Sequence, residues 1–572
     1  MYSNKENVNI LTALLVAHGV RRAVVCPGSR NAPIVHNLDE CPHISCLPVT
    51  DERSAGFFAL GLAQATDEPV AVCVTSGTAL LNLLPAVAEA CHQHVSLIVV
   101  SADRPAAWIG QMDGQTLHQP GALEPWVAKS VTLPEPDRAS EAEASTARWH
   151  CNRLVNEALL EAWQDHRPCV HINVPISEPL FQFTTGKLSA ERVIHRYAPP
   201  ADYSCLCAPL LDDLTSAQRP MVVFGQMAPD HFDKKVADYL FSHVIVLHEQ
   251  LAAFPSVSHF DEVLAAAGNS EDAIQELLPD FVLYVGGTLV SKRLKAFLRR
   301  AANAHVWRVS PTGTVEDTFQ NLRSIVTGDA EFTLNALSEK LARQHWSKGL
   351  AYRRQWLKLL QQASNLAQTY APPYSQMAAV KQLEQRLERL SDQEMPVVHY
   401  ANSSAIRLAN IYARHHVWCN RGVNGIEGSV STAAGFAAAT DDDRMVVCVA
   451  GDLSFFYDQN ALWNQNLRGN LRILLLNNGK GAIFDLLPGL EQSPARDRLV
   501  SACHQTSAEG ICRQNGIGYL AARNADELEQ GLDWLLSPGG DRPTLLEVFT
   551  SAQADTNTYA DYYKWICNGI DS

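Results

Sequence analysis

Short runs of consecutive apolar residues, rich in Val and Ile, recur along most of the chain with helix-like segments between them. Such runs are typical of parallel strands buried on both faces, because a strand with one face in water alternates apolar and polar residues. The runs form three series, which begin at positions 23, 71, 97 and 169, at 221, 244, 281 and 305, and at 397, 445, 472 and 544. This pattern predicts an α/β protein with three doubly wound parallel-sheet domains.

The predicted domain boundaries follow the gaps between these series. The chain has 572 residues, far more than one hydrophobic core usually serves. A Pro-containing stretch near 199–219 follows the first series, and a polar, helix-prone connection at 335–370 precedes the third. We therefore expect domains at 1–185, 200–335 and 375–572. In doubly wound sheets ligands bind beyond the carboxyl ends of the strands, so polar motifs directly after apolar runs are candidate sites.

Charge and composition argue against several classes of function. A formal net charge of -15 disfavours nonspecific binding to nucleic acid. Lys5, Glu6 and Asn9 interrupt the apolar run that a signal peptide would need, and the N-terminus is expected to form an amphipathic helix. No stretch reaches about 18 uninterrupted apolar residues, so we expect no integral membrane contact. The 14 cysteines are scattered without a CxxC pair, which indicates reduced thiols in a cytoplasmic protein.

The strongest chemical signal is a pair of polar motifs that end two runs of the third series. Asp452 follows the run that begins at 445, and Asn478, 26 positions later, follows the run that begins at 472. Both side chains are expected at one edge of the sheet. A carboxylate, an amide oxygen, a loop carbonyl and a diphosphate would together suit Mg²⁺. Either motif alone is better explained as a helix cap or a turn, so the combination favours a metal site.

The two motifs resemble the diphosphate-binding motif of thiamine-diphosphate-dependent enzymes, which runs from a Gly-Asp to an Asn-Asn at about this separation. Further segments narrow the resemblance to the 2-succinyl-5-enolpyruvyl-6-hydroxy-3-cyclohexene-1-carboxylate synthases of menaquinone biosynthesis. These segments are CPGSR at 26–30, TDER at 50–53, TSGTALLN at 75–82, ADRP at 102–105, QTLHQPG at 115–121, SKRL at 291–294, NSSAIR at 402–407, NRGVNGIEGSVSTAAG at 420–435 and GDLS at 451–454. The resemblance is thin in the middle of the chain.

The resemblance implies thiamine diphosphate and Mg²⁺, or Mn²⁺, as cofactors. Glu52 would be catalytic by polarising N1′ of the aminopyrimidine, although an isolated glutamate there is also explained by the helix dipole. Ile426 would hold the cofactor in its bent shape. The implied cofactor-binding residues are Glu52, Gly77, Gly425, Ile426, Asp452, Leu453, Ser454 and Asn478, and the implied metal ligands are Asp452, Asn478 and the carbonyl of Lys480. Lys480 replaces a common glycine, which restricts the loop's dihedral angles.

The implied reaction is that of a decarboxylating carboligase, a transferase that adds the succinyl-semialdehyde unit of 2-oxoglutarate to isochorismate. Each substrate carries two carboxylates, and the planar fork of arginine matches a carboxylate. The implied substrate-binding residues are Ser29, Arg30, Arg104, Gln115, Lys292, Arg293, Ser403, Arg407 and Arg421. In so acidic a chain we expect the arginines to form a local basic funnel. Gly114 stands where relatives can carry Asn, which puts one substrate hydrogen bond in doubt.

Glu52 and Asp452 fall in different predicted domains. The resemblance implies that they meet across a subunit interface, so a homodimer is the smallest active unit and a homotetramer is an alternative. Two other functions remain open. Another thiamine-diphosphate 2-oxo acid decarboxylase or carboligase would share the cofactor motifs, but the arginine set argues against a small monocarboxylate. A dinucleotide-binding protein is disfavoured because no GxGxxG follows an early strand.

Overall fold

The chain forms three parallel β-sheets, seen in a computed structural model that describes residues 1–138, 140, 143–164, 166–196, 207–229, 238–252, 254, 258–487 and 489–570. The first sheet contains β1 Arg22–Val25, β2 Ser45–Pro48, β3 Val70–Val74, β4 Leu97–Asp103, β5 Lys129–Thr132 and β6 Val170–Pro175. The middle sheet contains β7 Pro220–Phe224, β8 Ile245–His248, β9 Phe281–Val285, β10 His305–Ser310 and β11 Leu322–Thr327. The third sheet contains β12 Val397–Tyr400, β13 Val446–Gly451, β14 Leu471–Asn477, β15 Gly518–Ala522 and β16 Thr544–Phe549.

The strand orders are β2-β1-β3-β4-β6-β5, β11-β10-β9-β7-β8 and β12-β13-β14-β16-β15. Helices connect the strands. Those of the first and middle units are α1 Glu6–Ala17, α2 Ala32–Glu40, α3 Glu52–Thr66, α4 Thr78–Asn82, α5 Leu84–Gln93, α6 Ala144–Ala162, α7 Cys207–Ser216, α8 Asp238–His243, α9 Phe260–Ala267, α10 Glu271–Leu277, α11 Lys292–Arg300 and α12 Ala330–Arg343. The remainder are α13 Leu350–Thr369, α14 Gln376–Leu387, α15 Ser404–Tyr412, α16 Ser429–Ala439, α17 Asp452–Tyr457, α18 Glu509–Asn515, α19 Ala525–Leu535 and α20 Ala552–Ile570.

Each sheet separates two apolar layers, because successive side chains of a strand point to opposite faces. In β3, Val72 packs into one hydrophobic cluster and its neighbour Cys73 into another. In β13, Val446 and Val447 divide between two clusters in the same way. Helices therefore cover both faces of the sheets, and the prediction of three doubly wound parallel sheets is confirmed.

Four strands carry no predicted apolar run, namely β2, β5, β11 and β15, and each lies at the edge of its sheet. An edge strand is less covered by neighbours, so its sequence mixes polar and apolar residues, as KSVT in β5 and LRSIVT in β11 do. The predicted runs all fall on the other strands. Apolar runs thus identify the inner strands and two of the edge strands, β8 and β12, whereas the other four edge strands need a different signal.

The N-terminal helix forms as predicted, but it is not amphipathic. Helix α1 packs against α2 and α6, and its polar residues Asn7, Asn9 and Thr12 are buried. Their side chains are satisfied internally; for example, Asn7 Nδ2 donates to the Pro175 carbonyl at 2.8 Å. The helix is therefore covered on nearly all sides. Within the part of the chain that the structure describes, no helix is long and apolar enough to cross a membrane.

The first and third units share one hydrophobic cluster, which is built around the crossing of α3 and α16. Two glycines permit this close approach. A Cβ atom at Gly61 would lie 1.9 Å from the Thr432 carbonyl oxygen, and one at Gly435 would lie 2.0 Å from the Phe58 carbonyl oxygen. Only glycine fits at either position. The crossing fixes α3, whose first residue is Glu52, against the unit that carries Asp452.

Candidate active site

Asp452 and Asn478 meet at the carboxyl edge of the third sheet. Asp452 begins α17 directly after β13, and Asn478 follows the adjacent strand β14. Asp452 Oδ2 accepts hydrogen bonds from the backbone N–H groups of Asn478 at 3.1 Å and Gly479 at 2.8 Å. Its Oδ1 accepts one from the Leu453 N–H at 2.7 Å. The two motifs that the sequence analysis paired are therefore in direct contact.

A residue that the sequence analysis missed holds the amide of Asn478. Asn478 Nδ2 donates to Asp555 Oδ2 at 2.8 Å, and the Asp555 carboxylate also accepts from Thr550 Oγ1 at 2.7 Å and from the Gln376 N–H at 2.8 Å. Burial raises the pKa of Asp555, against the effect of these hydrogen bonds. Its only sequence signal is an acidic residue in the first turn of α20.

The oxygens around Asp452 fit a hard divalent cation. Among the described residues, Asp452 Oδ1 accepts one hydrogen bond, Asn478 Oδ1 accepts one from the Lys480 N–H at 3.3 Å, and the Lys480 carbonyl accepts one from the Ala482 N–H at 2.9 Å. Each of these oxygens has a lone pair left. Carboxylate, amide and carbonyl oxygens are the donors that Mg²⁺ and Mn²⁺ prefer. The donor set therefore suits the implied metal.

The environment of the Asp452 carboxylate also favours a bound cation. Burial raises its pKa, whereas its backbone N–H donors and the nearby His504, whose Nε2 is 3.4 Å from Oδ2, act in the opposite direction. A cation would offset the cost of keeping this carboxylate ionised in a buried position.

Lys480 is accommodated without strain in the loop after β14. The left-handed conformation in this loop falls on Gly479, at φ 77°, and Lys480 does not share it. The Lys480 ammonium group is held by Asp485 at 2.6 Å and Asp497 at 3.4 Å. Gly479 therefore adopts the conformation that would be strained for a lysine, so Lys480 does not distort the loop. The Lys480 carbonyl remains available as a ligand.

Ile426 presents an apolar side chain to solvent beside α17. It is 36% exposed, which is unusual for isoleucine. The Ser454 hydroxyl donates to the Ile426 carbonyl, and Asn402 Nδ2 donates to the Gly425 carbonyl at 2.5 Å. These bonds fix the backbone on both sides of the exposed side chain. The predicted cofactor-binding residues Gly425, Ile426 and Ser454 are thus linked by hydrogen bonds or by sequence. Asp452 and Leu453 directly precede Ser454.

Glu52 is the first residue of α3, and Asp51 caps this helix by accepting from the Arg53 N–H at 2.9 Å. The Glu52 side chain is half-buried, and within the described ranges it makes no hydrogen bond or ion pair. Burial and the charge of Glu52 both raise the pKa of the Cys26 thiol, which places the carboxylate near the end of β1. Within a single chain the structure therefore brings Glu52 to the first sheet and does not join it to Asp452.

Gly77 and Gln115 lie near each other at the first sheet. Gly77 has φ 86° and donates its N–H to Gln119 Oε1 at 2.7 Å. Gln115 Nε2 donates to the Ser76 carbonyl at 3.2 Å, and Ser29 is exposed in the loop after β1. A Cβ atom at Gly114 would meet no atom within 4 Å. The position has room for the side chain that this chain lacks.

Arg30 and Arg104 lie close together but are paired with carboxylates. Burial lowers the pKa of Arg30, and the charge of Arg104 lowers it further. Arg30 Nη2 is 2.9 Å from Glu178 Oε1, and Arg104 Nη1 is 2.7 Å from Asp113 Oδ2. Acidic neighbours therefore balance the two guanidinium groups within this chain, and the basic funnel stays a prediction at this edge.

A second group of cations, which we call the Arg407 cluster, consists of Arg407, Arg421 and Lys295. Arg421 is buried and donates to Asn402 Oδ1 at 3.0 Å and the Leu289 carbonyl at 3.4 Å. Arg407 makes no hydrogen bond among the described residues, and its Nε is buried without a partner. Burial lowers the pKa of Lys295, and the charges of Arg421 and Arg407 contribute. This cluster has the properties expected of an anion-binding site.

Lys295 is not among the residues predicted from the sequence; it lies one residue beyond SKRL and one helical turn after Lys292. Lys292 is exposed, and Arg293 is held by an ion pair with Asp261 and lies 4.1 Å from the Tyr563 ring centroid. The buried Glu249 carboxylate interacts electrostatically with both Lys295 and Arg421.

Ser403 precedes α15 in the left-handed region, at φ 74°, which is strained for serine. Such strain is often found at functional sites. Ser403 lies four residues before Arg407, at the N-terminal end of the same helix.

A cavity of about 470 Å³ lies between the first, middle and third units. His94, Lys295, Arg308 and Trp418 are among its lining residues. Neither Glu52 nor Asp452 lines it. The candidate catalytic groups are therefore not enclosed by this cavity within one chain.

Comparisons with known proteins place these features in one family. The model for the thiamine pyrophosphate enzyme N-terminal TPP binding domain matches residues 6–122, and the model for the C-terminal TPP binding domain matches residues 401–548. The chain is 46% identical to the 2-succinyl-5-enolpyruvyl-6-hydroxy-3-cyclohexene-1-carboxylate synthase of Bacteroides fragilis, over 99% of this chain and 100% of the relative. The enzymes of that name from Bacteroides thetaiotaomicron and Phocaeicola vulgatus are 45% and 42% identical, over 98% and 99% of this chain and 99% and 100% of the relatives.

Proposed function

Because the chain belongs to the family of 2-succinyl-5-enolpyruvyl-6-hydroxy-3-cyclohexene-1-carboxylate synthases, we propose that it adds the succinyl-semialdehyde unit of 2-oxoglutarate to isochorismate with loss of CO₂. It is a thiamine-diphosphate-dependent transferase of menaquinone biosynthesis. The observation that carries the proposal is the direct contact between Asp452 and Asn478 at the carboxyl edge of the third sheet. The full-length similarity excludes the dinucleotide-binding alternative.

The cofactor residues have distinct tasks in this proposal. Asp452, Asn478 and the Lys480 carbonyl would hold Mg²⁺ or Mn²⁺, which would supply positive charge for the cofactor's diphosphate. Bound thiamine diphosphate supplies the electron sink that no protein side chain offers. Glu52 would share a proton with N1′ of the aminopyrimidine, and Ile426, whose backbone Ser454 fixes, would support the cofactor.

The substrate residues bind carboxylates. Arg407, with Ser403 beside it, takes the distal carboxylate of 2-oxoglutarate, because this guanidinium makes no hydrogen bond in the described part of the chain. Arg421 and Lys295 interact electrostatically with Arg407 or with each other and add positive charge to the cluster. When substrate binds, Arg30 releases Glu178 and Arg104 releases Asp113, and each guanidinium pairs with a substrate carboxylate instead. The remaining members of the proposed set are Ser29, Gln115, Lys292 and Arg293.

A homodimer, or a homotetramer built from it, is the proposed active assembly. Two features support it. The Glu52 carboxylate makes no hydrogen bond to any residue that the structure describes, and the segments that carry the cofactor motifs expose apolar side chains: Ile426 is 36% exposed, Val423 49% and Tyr457 50%. A second subunit would cover these side chains and bring its Glu52 to the cofactor. We also propose a cytoplasmic location, which the free state of all cysteines with described side chains supports.

Mixing two inactive variants tests the shared site. Glu52→Gln and Asp452→Ala are each expected to be inactive, because each lacks one half of every site. After dissociation and random reassociation, the mixed dimer has one site with both substitutions and one intact site. Activity should therefore return to roughly a quarter of that of the parent.

Each variant taken alone through the same cycle is the control for this mixing experiment. Failure of the mixture to recover activity, when the parent survives the cycle, would contradict the proposal that Glu52 and Asp452 act across an interface.

A further inference from the structure

The side-chain amide of Asn478 has two ends of similar shape and opposite chemistry. Its oxygen can bind a cation, whereas its NH₂ group can only repel one. A rotation of about 180° around the last side-chain bond exchanges the two ends with little change in shape. A metal site that uses this amide therefore needs a second residue that distinguishes oxygen from nitrogen.

We propose that Asp555 is this residue, a positioning residue that orients the Asn478 amide with its oxygen toward the metal. The inference rests on the proposed function, because it takes the Asp452–Asn478 site to be the metal site. Asp555 Oδ2 lies 2.8 Å from Asn478 Nδ2. An ionised carboxylate only accepts hydrogen bonds, so the end of the amide that faces it must be the NH₂ group. The oxygen is then left for the metal.

Asp555 is itself held in a fixed position. Its Oδ1 accepts from the Gln376 N–H at 2.8 Å, at the start of α14, and its Oδ2 accepts from Thr550 Oγ1 at 2.7 Å, just after β16. All three neighbours, Asn478 included, donate to this carboxylate, so in every one of these contacts Asp555 is the acceptor. The orientation is thus set by two elements that lie far from Asn478 in sequence.

Helix α20 is anchored at some distance from the metal site as well. Two turns after Asp555, Tyr562 is fully buried and donates its hydroxyl to Glu262 Oε1 at 2.8 Å, and Tyr563 donates to Asp261 Oδ2 at 2.8 Å. The last helix therefore connects the middle unit to the amide of Asn478. A residue that touches a ligand's far side in this way typically changes metal affinity about 10- to 100-fold when it is replaced.

The test exchanges donor and acceptor between the two positions. In Asp555→Asn, the new amide can present NH₂ to Asn478, which then turns its own oxygen away from the metal. In the double variant Asn478→Asp/Asp555→Asn, the amide at 555 donates to a carboxylate at 478, and both oxygens of a carboxylate bind metal. In the single variant Asn478→Asp, the new carboxylate and that of Asp555 face each other and repel. Asp561→Asn, on the exposed side of the same helix where Asp561 pairs with Lys564, is the matched control.

The measurement is the dissociation constant of Mn²⁺ in the presence of thiamine diphosphate, read from the free Mn²⁺ signal in electron paramagnetic resonance. We expect Asp555→Asn to bind Mn²⁺ about 10- to 100-fold more weakly than the parent, the double variant to recover most of the loss, and Asp561→Asn to match the parent. Melting temperatures of the metal-free proteins show which variants are folded.

Parent-like affinity in Asp555→Asn would overturn the inference, and so would a double variant no better than Asp555→Asn. If Asp555→Asn does not fold, the comparison of Asn478→Asp with the double variant decides, because the inference requires tighter binding by the double variant. Failure of the parent itself to bind Mn²⁺ with thiamine diphosphate would instead contradict the proposed function.

Discussion

Replacing Arg407 by alanine should reduce the use of 2-oxoglutarate far more than the use of pyruvate. Arg407 lies in the first turn of α15, and Ser403 is the residue that precedes this helix. Pyruvate lacks the distal carboxylate that this pair is proposed to bind. The substitution therefore removes a contact that only the larger oxo acid makes.

The expected magnitude follows from the state of Arg407 in the structure. A lost charge-assisted hydrogen bond costs on the order of 2 kcal/mol, or about thirtyfold in kcat/KM, and the unpaired substrate carboxylate adds to this. The fold should not suffer. Within the described residues Arg407 makes no hydrogen bond, and its positive charge repels those of Arg421 and Lys295. Its removal leaves no protein acceptor unpaired and relieves repulsion, so the melting temperature should stay level or rise.

The assay compares kcat/KM for 2-oxoglutarate and pyruvate in the parent and in Arg407→Ala. Arg414→Ala is the matched control, because Arg414 follows the same helix and pairs with Glu388 at the surface. We expect the control to retain the parent's preference. An equal loss for both oxo acids, or no loss for either, would refute the selectivity role of Arg407.

Three further variants probe other parts of the site. Asp452→Ala should abolish retention of thiamine diphosphate, because the metal loses its carboxylate ligand; unchanged affinity in excess Mg²⁺ would contradict the assignment. Glu52→Gln should still bind the cofactor but exchange its C2 proton much more slowly, since an amide cannot share a proton with N1′; exchange at the parent's rate would reduce Glu52 to a helix-start carboxylate. Lys295→Gln should raise KM for an anionic substrate and leave cofactor affinity unchanged. An unaltered KM would contradict a role for Lys295 in binding substrate anions.

The sequence predicts those parts of the fold in which local pattern and burial agree. Strands buried on both faces appear as apolar runs, which locates β13 and β14 and hence Asp452 and Asn478 at their ends. Edge strands such as β5 are only partly buried, so their composition does not distinguish them from loops. The N-terminal helix shows the same limit. Asn7 and Asn9 are buried and hydrogen-bonded, but from the sequence alone such polar residues are predicted to face solvent.

The site residues show a similar division. Motif spacing identifies residues that lie directly after strands, but it carries no information about side chains contributed from elsewhere. Asp555 reaches Asn478 from the last helix, and the carboxylates that pair with Arg30 and Arg104 come from separate loops. Which arginines are paired and which, like Arg407, are left open depends on tertiary packing.

The most direct test of the proposed reaction is one assay of the purified protein with 2-oxoglutarate, isochorismate, thiamine diphosphate and Mg²⁺. It should release one CO₂ for each 2-succinyl-5-enolpyruvyl-6-hydroxy-3-cyclohexene-1-carboxylate formed, as identified by its mass, and omission of any one component should stop product formation. Release of CO₂ from 2-oxoglutarate without any product that contains the isochorismate carbons would contradict the proposal.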